Sequence, residues 1–406
     1  MKNIAIFQAD HALQVHTLNV VHGLVQAGYN VDVFLYRCHN KYENNNSIGA
    51  SVIDLTPTHT YWRDHQNPIT KCIEAFHHFI IRPLSFNDQS YFPKSVFDKS
   101  VILTGNKKYS CYIGVEKMGL VWAGLLSKVH SVPYIYYSLE LYPTELIYSL
   151  LFSRRFINVL TYFRLRMLEK KYHQMACATM IQDENRANEI NKYNKLIKMT
   201  FLHLPVSVEN TVTEDSDYIR KLFNIDNNVK IILQFGLFHR MRPIEEIAIA
   251  AQNFPSDWLL IFHGPVADKK LVEKVRKIDI NKRIIISDKV LPSQDIDKLL
   301  MSADIGLCFY GKKNSNDYHA GFSSEKLARY LKCKIPVIAF DYPTFLDSVE
   351  TTGAGVCISD ASYLTQAIET ILADFGAFRQ RAQNAYFQHF EFNSQFQKVI
   401  TYIDGI

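Results

Sequence analysis

Short β-rich runs alternate with longer helical patterns along most of this chain, and the alternation runs twice. The first series opens with "NIAIFQ", a helical pattern around "VHTLNVVHGLVQAG" and "YNVDVFLY". It continues through "SCYIGV", the helical stretch around "KMGLVWAGLLSKVH", "VPYIYYS" and "CATMIQD". After a polar, acid-bearing stretch near residues 205–217 it restarts: "VKIILQFG", "DWLLIFHG", "RIIISDK", "IGLCFYG", "IPVIAFD" and "GVCIS", with helical patterns between. Apolar strands separated by helix-length connections are the grammar of βαβ units and parallel sheets. The chain therefore predicts an α/β fold of two doubly wound domains, joined by the polar stretch. A length of 406 residues with 48% apolar content supports two cores. The segment from Pro57 to Lys108 fits the alternation poorly; within it "ITKCIEAFHHFI" reads as a helix.

Charge and cysteines narrow the function classes. With 45 basic and 40 acidic residues the formal charge is only +5, so no strong overall field marks a nucleic-acid binder. Seven cysteines are odd in number and nowhere spaced like metal ligands, which suits a reducing, cytoplasmic setting. "MKNIAIFQADHA" turns polar after a few apolar residues and reads as a first strand rather than a signal peptide. No uncharged run approaches the ~18 residues of a membrane span.

In an open parallel sheet, ligands bind beyond the carboxyl ends of the strands. Three such places in the second half carry chemistry. In "QFGLFHRMRP", Gly236 permits a tight turn and Arg240 and Arg242 precede a helix led by Pro243; two guanidiniums there can clamp a phosphate, though solvated loop arginines have the same look. In "FHGPV", His263 and Gly264 end a strand, and Gly264 lets a ligand approach the backbone or serves as a plain turn glycine. In "GFSSEKLARYLKCKIPVIAF", a helix starts near Ser323 or Ser324, both good N-caps. Gly321, Phe322, Ser323 and Ser324 are then candidate backbone donors to a diphosphate, with Glu325 in the first turn and Lys326 adding charge.

These pieces together resemble the GT-B glycosyltransferases, especially the large retaining family (glycosyltransferase family 4-like) that includes many bacterial polysaccharide and lipopolysaccharide enzymes. "SSEKLARYLKCKIPVIAF" is similar to the family's Ser-x-x-Lys-Leu-x-x-Tyr-Leu-x-x-x-x-Pro-Val-Ile pattern, and "LQFGLFHRMRP" resembles its strand, glycine turn and basic clamp. "IFHGP", "SADIGLCFY" and, in the first half, "YIGVEKMGLVWAGLLSKVHSVPYIYYSLELY" match in order and spacing, and "AYFQHFEFNSQFQKVITYI" resembles the family's terminal helix. The resemblance implies two Rossmann-like domains facing a central cleft: an acceptor domain over 1–207, a nucleotide-sugar domain over 208–385, and a C-terminal helix over 386–406 that crosses back to the first domain. It implies transfer of a sugar from a nucleoside-diphosphate donor, UDP- or GDP-linked, to a glycan or lipid-linked glycan, with retention of configuration and with no metal or other cofactor. Arg240 and Lys326 are its candidates for stabilising the leaving phosphate. Glu140, in "SLELYPTE", is the candidate base or acceptor-positioning group, with Glu145 and His11 behind it. Asp10, His11, His16 and Glu116 complete the expected acceptor side, Lys117 standing next to Glu116.

The chain also departs from that pattern. Seven residues before Pro336, where the family carries a ribose-binding glutamate, stands Arg329, and an arginine accepts no hydrogen bond. The family's earlier glutamate falls on Gly321; Asp317 and Glu325 share the same mutual spacing, so a shifted motif would put Glu325 on the ribose. These departures keep a non-catalytic, transferase-like partner subunit open as an alternative. A nucleotide-sugar epimerase shares the architecture but needs an acid–base pair that the sequence does not offer. A Rossmann dehydrogenase lacks its Gly-x-Gly-x-x-Gly fingerprint after the first strand.

Between Ile147 and Tyr172, apolar Phe156, Val159, Leu160, Phe163 and Met167 at helical spacing accompany Arg154, Arg155, Arg164, Arg166, Lys170 and Lys171. A basic amphipathic helix of this kind can lie on an anionic membrane, so peripheral contact with the inner face of a membrane is an expectation; a core helix with a solvated basic face is the alternative.

Overall fold

The computed structural model describes residues 2–9, 15–37, 49–56, 87–141, 156–208, 216–289, 291, 293–312 and 314–406, the side chains of 156–161 and 293–294 excepted. Asp10, His11, Glu145, Arg154, Arg155 and the expected helix "ITKCIEAFHHFI" lie outside them, as do the side chains of Phe156, Val159 and Leu160. The chain forms two compact units, Met1–Leu204 with Asn393–Ile406, and Pro205–Phe392.

The first unit contains β1 (Asn3–Ala9), α1 (Val15–Gln26), β2 (Asn30–Tyr36), β3 (Ser51–Asp54), α2 (Lys94–Gly105), β4 (Tyr109–Val115), α3 (Glu116–His130), β5 (Tyr134–Tyr137), α4 (Phe156–His173), β6 (Ala178–Ile181), α5 (Glu184–Asn194) and β7 (Thr200–His203). Its strands form one parallel, seven-stranded sheet in the order β3-β2-β1-β4-β5-β6-β7. Strands covered on both faces are near-continuous apolar runs, which is why residues 4–7 of β1 and all of β5 are apolar or aromatic and both strands are buried throughout, Asn3 excepted; Gln8 is a buried polar break. Phe7 of β1 stacks on Phe34 at 5.0 Å and meets Tyr112 edge-on at 5.3 Å and Trp122 of α3 at 5.3 Å. Each such buried ring is worth roughly 1.5–3 kcal/mol by transfer from water, so this aromatic cluster fixes α3 on the sheet.

In the second unit, α6 (Tyr218–Phe223) leads into β8 (Lys230–Phe235), α7 (Ile244–Ala250), β9 (Trp258–His263), α8 (Lys269–Ile278), β10 (Ile284–Ser287), α9 (Ser293–Met301), β11 (Ile305–Cys308) and α10 (Ser315–Tyr318). Then come α11 (Glu325–Lys332), β12 (Val337–Phe340), β13 (Gly355–Ile358), α12 (Leu364–Ala373) and α13 (Phe375–Ala385). The six strands are again parallel, in the order β10-β9-β8-β11-β12-β13. The order reverses between β8 and β11, so the carboxyl ends of those strands bound the crevice where such a sheet takes a ligand.

The last helix, α14 (Phe392–Asp404), packs from Asn393 onward within the first unit. The Tyr29 hydroxyl donates to Asp404 at 2.5 Å, Tyr402 donates to the Cys177 carbonyl at 2.8 Å, and Phe396, Val399 and Ile403 are buried. No described helix is long and apolar enough to cross a membrane.

Candidate functional site

Helix α11 is aimed at the crevice by Tyr330. This fully buried side chain donates from its hydroxyl to the Leu233 carbonyl at 2.7 Å and accepts the Phe235 N–H at 3.0 Å, which ties the helix to β8. Its ring lies on β11 where Gly306 has no side chain; a Cβ there would come within 2.7 Å of the ring. Ser324 caps the helix, accepting the Leu327 N–H at 3.1 Å. The first turn is thus held beside the ends of β8 and β11, and Lys326 sits in it.

Lys326 is half-buried and lies along the turn after β8, where a Cβ on Gly236 would meet its Cε at 3.5 Å. Its ammonium stands 5.0 Å from the centre of the Tyr310 ring, just beyond β11. With the amide orientation that satisfies both its ends, Gln234 accepts from Lys326 Nζ at 3.0 Å and donates to the Leu307 carbonyl at 2.9 Å. Among the described residues no carboxylate lies within ion-pair distance of Lys326. Its pKa is lowered to about 8, chiefly by burial and also by the nearby Arg242, against the raising effect of Cys308 and Asp317. Arg242 lies 4.4 Å from the centre of the same Tyr310 ring and pairs with Asp317 at 2.8 Å. Two cations thus share one aromatic platform, and one of them lacks a counter-charge.

The floor of the crevice is built by two glycine turns. Gly236 (φ 118°) donates to the His263 carbonyl and Gly264 (φ 145°) to the Ser287 carbonyl, both at 2.9 Å. Both conformations favour glycine, and a Cβ on Gly264 would fall 2.2 Å from the Gly236 carbonyl oxygen. His263 is buried against Ser287 Oγ at 3.0 Å, and burial lowers its pKa.

Several sequence expectations are revised here. Gly321 donates its N–H to Thr344 Oγ1 at 3.0 Å and Ser323 donates to the Ala320 carbonyl at 3.1 Å, so these two backbone donors are spent inside the fold. Phe322 stacks on Phe390 at 5.7 Å and its carbonyl accepts the Val206 N–H at 2.8 Å, which makes it a packing residue. Arg240 is exposed and makes no hydrogen bond or ion pair among the described residues; Arg242, not Arg240, shares the platform with Lys326. Arg329 is buried and bonds Glu325 at 2.7 Å and Asp297 at 3.2 Å, and Lys332 joins Asp297 at 2.6 Å. Glu325 is therefore committed to Arg329, against its shifted role on a ribose. Gln234 and Tyr310 escaped sequence reasoning although both stand at strand ends; the polar Gln234 between Leu233 and Phe235 was the available signal.

In the first unit, Glu116 and Glu140 come together, with Glu116 buried beneath the loop that carries Glu140. Glu116 begins α3 with φ 58°, a left-handed conformation rare for a residue with a side chain, and is 2% exposed. Its Oε1 accepts the N–H groups of Leu139 at 2.8 Å and Glu140 at 3.1 Å. From the other side the buried Arg186 donates to the Leu139 carbonyl at 2.6 Å, and Gln182 donates to the Ser138 carbonyl at 2.8 Å. The loop after β5 is thus gripped by buried polar side chains, and Glu140, half-buried, is presented by it. His16 lies half-buried in the first turn of α1. Among the described residues no three His, Cys, Asp or Glu side chains gather as a metal site.

Helix α4 differs from the expected basic face. Arg164 pairs with Asp88 at 2.7 Å, and Arg166 bonds Asn194 Oδ1 and the Tyr193 carbonyl, so both arginines serve the fold. Among the described side chains of α4, the exposed ones are Phe163 (58%) and Met167 (63%), one turn apart, and Lys171 a turn further on, which pairs with Asp88 at 2.5 Å.

No protein-family model matches the chain. The chitobiosyldiphosphodolichol beta-mannosyltransferase of Candida albicans is 23% identical over 122 residues, 30% of this chain; the matched stretch spans about a quarter (26%) of that enzyme's length. Among solved structures, HepE from Anabaena in complex with UDP superposes with a TM-score of 0.71 at 13% identity, covering 100% of both chains. Sucrose-phosphate synthase from Thermosynechococcus elongatus gives 0.68 at 15% identity, covering 99% of this chain and 98% of that one. WaaG, a glycosyltransferase involved in lipopolysaccharide biosynthesis, gives 0.62 at 13% identity, covering 99% and 100%. Two parallel, doubly wound sheets and these full-length superpositions give the chain the GT-B fold.

Proposed function

We propose that the protein is a glycosyltransferase that moves a sugar from a nucleoside-diphosphate donor to a glycan or lipid-linked glycan acceptor. One observation carries this reading: Lys326 and Arg242 converge on Tyr310 at the switch point of the second sheet, and among the described residues Lys326 has no carboxylate within ion-pair distance. A half-buried ammonium without a counter-ion is costly unless an anion completes the site. A diphosphate supplies that charge, and the glycine turns at Gly236 and Gly264 shape the strand ends beside it. HepE, bound to UDP, and the mannosyltransferase of Candida albicans support the same class of donor and product.

As the donor's glycosidic bond breaks, negative charge grows on the leaving diphosphate. Arg242 and Lys326, already oriented, stabilise it, and we assign the exposed Arg240 to join them. In a retaining transfer that phosphate takes the acceptor's proton on the same face of the sugar, which asks little of protein bases. Glu140, on its gripped loop, orients the acceptor hydroxyl. We assign the exposed pair Phe163 and Met167, with Lys171 paired to Asp88 beside them, a peripheral contact with an anionic membrane.

Incubation with UDP- and GDP-linked sugars and glycan or lipid-linked acceptors tests the reading. The expected result is release of one nucleoside diphosphate and a product of retained anomeric configuration, with turnover reduced about 100-fold or more in Lys326→Ala. Binding of a nucleoside diphosphate without turnover on any donor would favour the non-catalytic subunit, the alternative that Arg329 in place of a ribose glutamate supports.

A further inference from the structure

Tyr310 is the point at which the parts of the candidate diphosphate site meet. Its ring faces Arg242 at 4.4 Å and Lys326 at 5.0 Å. Its hydroxyl bonds Ser324 Oγ at 2.7 Å, the serine that caps α11. Its carbonyl accepts the Tyr342 hydroxyl at 2.9 Å, and its ring stacks on Phe345 at 5.7 Å, so the platform is itself fixed. Two like charges do not approach each other freely. Here one aromatic ring attracts both, Asp317 pairs directly with Arg242, and Gln234 gives Lys326 a neutral acceptor.

We propose that Tyr310 is a positioning residue: it holds Arg242 and Lys326 at one spacing and ties that spacing to the start of α11, so that a diphosphate meets a preformed clamp. The tyrosine touches the cations rather than the ligand. This inference rests on the donor site proposed above. The groups facing Lys326 are Arg242, Asp317, Cys308, Tyr310 and Gln234; burial raises the pKa of both the Cys308 thiol and the Tyr310 phenol.

The test is calorimetric titration of the full chain with inorganic pyrophosphate, UDP and GDP between pH 6.5 and 9.5. Wild type, Tyr310→Phe and Tyr310→Leu are compared, and Tyr310→Met replaces the leucine variant if that one does not fold. The phenylalanine variant keeps the ring and is expected within about threefold of wild type, with the same pH midpoint. Loss of the ring is expected to weaken binding at least about tenfold and to move the midpoint of its pH dependence. A folded ring-less variant that binds like wild type, with an unmoved midpoint, overturns the proposal, whatever its melting temperature. Wild type that binds pyrophosphate but neither nucleotide, with the ring-less variant still weaker, overturns the nucleotide reading and leaves Tyr310 in its role. Wild type that binds none of the three overturns both.

Discussion

Lys326 carries a cost that the fold does not relieve. Burial lowers its pKa from 10.5 to about 8, so between those values the unfolded chain holds a proton that the folded chain releases. The apo protein therefore gains stability from this group as pH rises through that window, and gains nothing from it below. Affinity runs the other way: a neutral amine attracts no phosphate, so binding of a nucleoside diphosphate weakens as pH rises past about 8. Replacing Lys326 with Met is expected to raise the apo melting temperature at pH 7 while abolishing nucleotide-dependent stabilisation, the signature of a residue kept for function. A thermal-shift series with and without UDP and GDP reads both effects; a melting temperature lowered by several degrees would mean that Lys326 serves the fold. Much of this site was legible in the sequence. Gly236, Gly264, the serine cap and Lys326 each have a local signature. Tyr310 does not, since an aromatic after a strand reads as core, and Gln234 shows only as a polar break in an apolar run, which the register of β8 against β11 brings to the ammonium.

Elements show where local patterns mislead. At the junction of β4 and α3, Glu116 reads as an acceptor-side carboxylate, yet it is buried with φ 58° and holds the Leu139 and Glu140 amides. Glu116→Leu leaves those two N–H groups without this acceptor and is expected to cost about 1–3 kcal/mol for each, measured by urea unfolding, whereas Glu116→Gln retains an acceptor and most of the stability. Equal loss in the two variants would contradict the assigned bonds. On α11, the arginine at the expected glutamate position answers to Asp297 on α9. Arg329→Glu would set a third carboxylate beside Asp297 and Glu325 rather than restore a ribose contact, and is expected to destabilise by about 3 kcal/mol or more with no gain in nucleotide affinity. On α4, the arginines looked outward in sequence because their partners, Asp88 and Asn194, are distant along the chain. The membrane proposal consequently rests on Phe163 and Met167. Their joint replacement by serine is expected to reduce sedimentation with anionic liposomes, and unchanged sedimentation would remove it.

At the scale of the molecule, the two sheets repeat one plan: the first strand lies inside, the next strands extend one way, and the order then reverses. Strand periodicity made this legible twice over, because strands buried on both faces announce themselves as apolar runs. The return of α14 to the first unit leaves little local trace, since it depends on Phe396, Val399 and Ile403 finding a surface built by the opposite end of the chain. Function at this scale turns on whether the second sheet's crevice takes a diphosphate. Calorimetric titration of wild type and Lys326→Met with UDP and GDP at pH 7 measures that most directly. Saturable one-to-one binding of a nucleoside diphosphate by wild type, weakened about 100-fold or more by the substitution, is the predicted result. Equal binding by both proteins, or none by wild type, would contradict the account.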